Sequence, residues 1–189
     1  ITYDRVADNI LKVTQTLDGN IPSADQCPEA YMPRFGMVMR LPYCMDNSTY
    51  YGRGPVENYA DRNSCAALGI YDQTVTSQFY PYIRPQETGN KTDVRWWKML
   101  DASGRGIAVR AEQPFSASAL HYTVESLDEG LEKRQMHSPE VDPSDITNFL
   151  IDKVQMGLGG ENSWGHLPLE QYRIHSGNLS FRFVIAPEK

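Results

Sequence analysis

Apolar and polar residues alternate with period two over much of this chain, the spacing that places successive side chains on opposite faces of a strand. Leu11, Val13, Gln15 and Leu17 share one face of an early strand. Met37, Met39 and Leu41 share one face of a later strand that Pro42 helps to end. Ile107 and Val109 follow a turn at Gly104-Arg105-Gly106, and Phe181, Phe183 and Ile185 form a last strand before Pro187. Strands buried on one side belong to antiparallel sheets. No stretch carries apolar residues at helical spacing for long enough to make a βαβ crossover, and Gly and Pro interrupt the chain at short intervals. The expected fold is therefore all-β, an antiparallel β-sandwich. The segment Ser138 to Asp145 is polar and Pro-rich and reads as a loop, too short to divide two domains.

A length of 189 residues suits a single domain, 1–189, with a substantial core. The opening Ile1-Thr2-Tyr3 has no Met and reads like the inside of a strand, so a longer polypeptide cut at this point is expected. Twenty-four acidic residues against 18 basic ones give a net charge of -6, and no Lys/Arg cluster is dense enough to neutralise a run of phosphates. Nucleic acid is not an expected partner. Neither is a membrane, since no apolar run approaches the length of a bilayer span. Cys27, Cys44 and Cys65 are odd in number and lack a CxxC pair, which points to buried free thiols rather than to disulfides or zinc.

Three clusters carry candidate chemistry. In Gly52 to Arg62, Gly and Pro set a turn, and Glu57, Asn58, Asp61 and Arg62 follow closely. Such groups can hold sugar hydroxyls, and they serve equally as a network that stabilises the turn. In Tyr80 to Trp97, aromatic rings interleave with Glu87, Arg95 and Trp96, a composition suited to a sugar surface or to a loop pinned on a sandwich core. If Trp96 and Trp97 lie on a strand they face opposite ways, so at most one of them meets any ligand. In Met156 to His166, three glycines in four positions lack the GKS/T ending of a phosphate loop. They read better as a flexible strand exit that delivers Trp164, with Glu161 and Asn162 beside it. No pair of the 24 acidic residues is marked as an acid and a nucleophile, and the four His residues are scattered. No residue of this chain is expected to be catalytic, and none is expected to bind a metal.

Taken in order, GRGPVENYADR, YPYIRPQETGNKTDVRWW and MGLGGENSW resemble the small-chain domain of the lac-type β-galactosidases of glycoside hydrolase family two, from about the MPRFGMVMRLP strand to the C-terminus. The resemblance implies a supersandwich of the galactose-mutarotase-like type. It implies that the two catalytic carboxylates and the bound Mg and Na belong to other domains, so that this chain alone is inactive and needs no cofactor. It also implies that Trp164 stacks on the sugar in the leaving-group subsite of a retaining enzyme that hydrolyses terminal β-galactosides such as lactose. The expected partners are that substrate, the remaining domains and further copies of the parent enzyme, in the cytoplasm or periplasm of a bacterium. Two other readings stand beside this one. In the first, the sandwich binds carbohydrate by itself through the Tyr80 to Trp97 segment. In the second, it epimerises an aldose with His121 and Glu87 as acid and base.

Overall fold

The computed structural model describes residues 1–19, 31–128, 130, 136–159, 165–175 and 177–189. Among these, nine strands carry the fold: β1 (Thr2–Ala7), β2 (Ile10–Leu17), β3 (Arg34–Pro42), β4 (Asn47–Gly54), β5 (Ala67–Thr74), β6 (Lys91–Leu100), β7 (Gly106–Leu120), β8 (Ile146–Gln155) and β9 (Leu179–Glu188). Every pairing between them is antiparallel. Among the described residues the α-helix is confined to two single turns, α1 (Val75–Gln78) and α2 (Val124–Leu127), each started by a Thr hydroxyl that accepts a backbone N–H three residues on.

The strands run in the order β1-β2-β9-β7-β6-β4-β5, and β8 joins β7 to β3 as a side branch. The long strand β7 makes this branching possible. One of its edges faces β6, while the other pairs with β9 from Gly106 to Ala111 and with β8 from Ser116 to Leu120. The hand-over falls at Glu112, Gln113 and Pro114, all exposed and without a ladder partner, so Pro114 has no sheet hydrogen bond to forfeit. Side chains from every branch then meet in one cluster: Val13 of β2, Leu41 of β3, Tyr50 of β4, Trp97 of β6, Phe149 of β8 and Phe183 of β9. Trp97 is fully buried and stacked on Tyr50 with ring centroids 4.4 Å apart. A sheet that folds its branches over a common apolar core is an all-β sandwich, as the period-two pattern predicts.

The alternation holds in detail. Val13 and Gln15 are buried on β2, Leu41 is buried at the end of β3 with Met37 and Met39 packed against the core, and Phe181 and Phe183 are buried on β9. Along β6 the inward face changes from Val94 to Trp97, three residues rather than two, because two register shifts interrupt its pairing with β7. Asp93, at φ 54°, lies within the first of these shifts.

Two expectations need correction, and a third element, the expected loop at Ser138 to Asp145, gains a detail. The last strand does not stop before Pro187 but runs to Glu188; β2 leaves β9 after Ile185, so Pro187 pairs with Ile107 of β7 on one side only, where a missing N–H is tolerated. Cys44 and Cys65 are exposed free thiols, because both lie in turns outside the strands, while Cys27 lies outside the described residues. The loop that starts at Ser138 opens with a 3-10 turn, Ser138–Glu140, where Pro139 sits at the start and the Glu140 carboxylate accepts the His137 N–H at 2.6 Å. The Ser138 hydroxyl donates to the Tyr82 carbonyl and pins this turn to the second motif.

Candidate functional site: three motifs joined by two carboxylates

Glu57 is the hub that brings the first two sequence clusters together. Its Oε1 accepts from Arg62 Nη2 at 2.6 Å and from the Tyr82 hydroxyl, and its Oε2 accepts from Gly89 N at 2.8 Å and Thr88 Oγ1 at 3.1 Å. Arg62 also donates to the Tyr82 oxygen at 3.1 Å and lies 5.1 Å over the Tyr59 ring. Both carboxylate oxygens are thus engaged by protein donors, an arrangement suited to holding a turn and not to taking a proton from a substrate. Burial, and after it the bond donated to Glu57, pushes the Tyr82 phenol up. Burial does the same for Tyr59, with the charges of Glu87 and Glu57 adding to it.

Asn58, fully buried, locks the same turn to the start of β6. Its Nδ2 donates to the Arg53 and Val56 carbonyls at 3.0 Å each, and its Oδ1 accepts from Thr92 N at 2.9 Å and Thr92 Oγ1 at 2.5 Å. Every donor and acceptor of this amide has a protein partner, as a buried amide requires.

Asp61, from the first motif, reaches the third. Its Oδ2 accepts the Gly159 N–H at 2.6 Å across 98 residues of sequence. A Cβ on Gly157 would stand 2.5 Å from Asp61 Oδ2, and one on Gly159 would stand 3.0 Å away. The glycines are therefore needed for close approach to a carboxylate, which is the opposite of a phosphate cradle. The Gly157 N–H donates to the Tyr172 carbonyl at 2.9 Å and the Met156 N–H to the Pro33 carbonyl at 2.9 Å, so the strand exit is tied at three successive points. Glu161, Asn162 and Trp164, which the sequence singles out, lie outside the described residues.

Glu87 belongs to a second network built on Arg34, a residue that no motif marks. Arg34 Nη2 donates to Glu87 Oε2 at 2.6 Å, and its Nη1 lies 3.4 Å from Asp152 Oδ2. Asp152 is 2 % exposed, and its carboxyl is pushed up to about 7, by burial first, with Arg34 opposing and Glu87 adding. Burial raises Glu87 as well, against the pull of Arg34. Room for Asp152 comes from Gly36, at the irregularity in the β3 pairing, where a Cβ would come within 2.2 Å of Asp152 Oδ1. Above this network opens a cavity of about 460 Å³ lined by Arg34, Glu87, Ser118, Asn148, Gln155 and Leu158, beside the start of the glycine-rich loop. The one sequence signal for Asp152 is a carboxylate inside the apolar run of β8, and it has meaning only once Arg34 is known to face it.

The remaining candidates stand apart. Arg95 donates to the Asp93 carbonyl at 2.9 Å, and Trp96 lies beside Tyr51 and under Lys98, whose Nζ is 5.9 Å from the ring centre. Trp96 and Trp97 do face opposite ways, with Trp97 in the core. His121 is held between Asp46 Oδ1 at 3.0 Å and the Ile146 carbonyl at 3.2 Å and is stacked on Tyr43, whereas Glu87 is paired with Arg34. The acid and base of the epimerase reading thus sit in separate networks. Among the described residues no group of three or more His, Cys, Asp and Glu side chains converges on a point where a metal ion fits.

Comparison with known proteins supplies the context for this geometry. A family described as Beta galactosidase small chain matches residues 1–185. The chain is 37% identical over 189 residues to a β-galactosidase of Priestia megaterium, covering 99% of this chain and 17% of that protein. It is 36% identical over 178 residues to the β-galactosidase BgaC of Bifidobacterium adolescentis, covering 92% and 16%. It is also 36% identical over 192 residues to a β-galactosidase of Lactobacillus delbrueckii subsp. bulgaricus, covering 99% and 17%. The chain thus spans about 17% of the length of the curated relatives it matches.

Proposed function

Because the chain belongs to the β-galactosidase small-chain family, we propose that it works as a non-catalytic domain of a retaining β-galactosidase and carries the aromatic platform Trp164 to the rim of the substrate pocket. The observation that supports this reading most directly is the bond from Gly159 N to Asp61. It tethers the glycine-rich loop five residues before Trp164, and five residues of chain reach at most about 18 Å. The indole would then be delivered from a fixed point, while Glu57, Asn58 and Arg62 keep that point rigid.

Under this reading the substrate is a terminal β-galactoside such as lactose, and the acid and nucleophile carboxylates, with any Mg or Na, belong to the rest of the enzyme. Trp164 contributes binding and orientation of the leaving group and no bond cleavage, a contact worth about 1 kcal/mol. The domain docks on the other domains, and the parent assembles as a homo-oligomer.

The test compares the full-length enzyme, its Trp164→Ala variant and the isolated chain on lactose and a nitrophenyl galactoside. The expected result is an inert chain and a variant whose KM rises about fivefold, the equivalent of ~1 kcal/mol. Unchanged kinetics for both substrates in the variant would remove the platform, and turnover by the isolated chain would remove the non-catalytic assignment.

A further inference from the structure

The face of the main sheet turned away from the core carries one row of side chains from strand to strand. Ile70 of β5 pairs with Tyr51 of β4, Tyr51 with Trp96 of β6, Trp96 with Arg110 of β7, Arg110 with Val184 of β9, and Val184 with Lys12 of β2. The adjacent residues Tyr50, Trp97, Val109 and Phe183 belong to the core, so alternation along each strand places this row on the outer face. Ile70 is 64 % exposed, and Leu68, on the same face of β5, is 45 % exposed. Arg110 is exposed, and Tyr51, Trp96 and Val184 are half-buried. Tyr, Trp and Arg are the side chains that protein interfaces and their energetic centres favour. The seven strands of the main path, spaced at about 4.8 Å and about eight residues long, make this face about 29 by 26 Å, or about 750 Å². A standard interface takes about 800 Å² from each partner.

The charges on this face say what meets it. Lys98 is ion-paired with Glu188, Arg53 with Asp93, and Lys12 with Asp4 at 3.2 Å. The Arg110 and Arg182 guanidinium groups, both exposed, have no partner among the described residues and line a shallow groove of about 240 Å³ with Lys12, Glu112 and Val184. Two unpaired guanidinium groups against one carboxylate, Glu112, make the groove positive on a chain whose total charge is -6. Water serves these groups while the face is open, whereas in an interface each needs a carboxylate. A second copy of the chain fits badly, because a two-fold contact centred on this row sets Arg110, on the central strand, against its own copy. The remainder of the parent fits better. The chain spans about 17% of its curated relatives, so most of such an enzyme lies elsewhere on the same polypeptide and docks at the high effective concentration of a tethered partner. We infer that this outer face is a docking surface, covered in the full-length enzyme by another part of the same polypeptide. That partner sets apolar side chains on Leu68, Ile70 and Trp96 and carboxylates on Arg110 and Arg182. The inference rests on the reading of this chain as one domain of a longer β-galactosidase, and not on Trp164.

Cysteine labelling of the full-length enzyme tests the surface. Ile70→Cys is treated with a bulky maleimide under native conditions and again in urea, and the peptide that contains residue 70 is quantified by mass spectrometry. A thiol at a position 64 % exposed in this chain reacts freely if the face is open. The expected result is native labelling about tenfold or more slower than in urea, the protection of a covered site. Reversing both charges, Arg110→Glu with Arg182→Glu, is expected to restore most of the reactivity, and Arg110→Lys with Arg182→Lys to keep the protection. Native labelling as fast as in urea would show an open face and overturn the inference. Protection that charge reversal leaves unchanged would remove the carboxylate-bearing partner, and protection that is lost on dilution would assign the face to a second copy instead. The Trp164→Ala enzyme is expected to keep the protection, and turnover by the isolated chain is read as activity and not as labelling. Failure of the docking surface and failure of the proposed function are therefore seen in different measurements.

Discussion

Asp152 and Glu87 face one guanidinium, that of Arg34, from opposite strands and loops, and both carboxyls are raised because burial costs their ions more than Arg34 returns. The consequence is a stability that falls with rising pH. With its folded pKa at about 7 and a usual value of 3.8, Asp152 binds a proton in the folded chain and not in the unfolded one between those limits. Its burial is therefore free of penalty below about pH 4, and the penalty is complete above about pH 7. Urea unfolding at a series of pH values should show Asp152→Asn losing a downward slope that approaches 1.4 kcal/mol per pH unit, roughly one proton's worth, between those limits. Identical slopes in the variant and the parent sequence would show that Asp152 is ionised throughout. Neither Arg34 nor Asp152 was legible in the sequence as a partner of anything. An Arg at the start of one strand and an Asp near the end of another acquire a meaning only through the β3–β8 pairing.

At the scale of elements, the strand exit after β8 depends on one long-range carboxylate. Gly157→Ala would push a Cβ against Asp61 Oδ2 and against the Tyr172 Cβ, 2.5 and 2.9 Å away, and overpacking of this kind costs about 1–3 kcal/mol. In an Asp61→Ala background the penalty should shrink without vanishing, since Tyr172 still obstructs. A double-mutant cycle in urea measures the coupling, and strict additivity would mean that Asp61 does not hold the loop. The strands themselves were legible: the alternations at Leu11 to Leu17, Met37 to Leu41 and Phe181 to Ile185 all lie in β2, β3 and β9 with the expected faces inward. Their ends were less so. Pro187 reads as a terminator, and it is accommodated because β2 has already left that edge of β9, a fact about a neighbouring strand that local pattern does not contain.

For the molecule as a whole, β7 and the buried Trp97 determine whether the branches behave as one unit. Trp97 packs on Tyr50 of β4 and Phe149 of β8, so it bridges the main sheet and the side branch. Trp97→Ala should cost about 3–5 kcal/mol, and the loss should fall on the entire fold. Unfolding followed by tyrosine fluorescence and by far-ultraviolet dichroism should shift together to lower urea. Two separated transitions would show that the β3–β8 branch melts alone.

The sequence by itself determined the all-β class, the faces of most strands and the three motifs whose order resembles a β-galactosidase small chain, because side-chain periodicity and turn chemistry are local properties of the chain. Tertiary structure alone decided what the motifs do to one another. Glu57 joins the first motif to the second through Thr88 and Gly89, and Asp61 joins the first to the third through Gly159. Contacts between residues tens of positions apart are set by how strands pair and which side chains share a buried space, and neither is written into the spacing of any one segment.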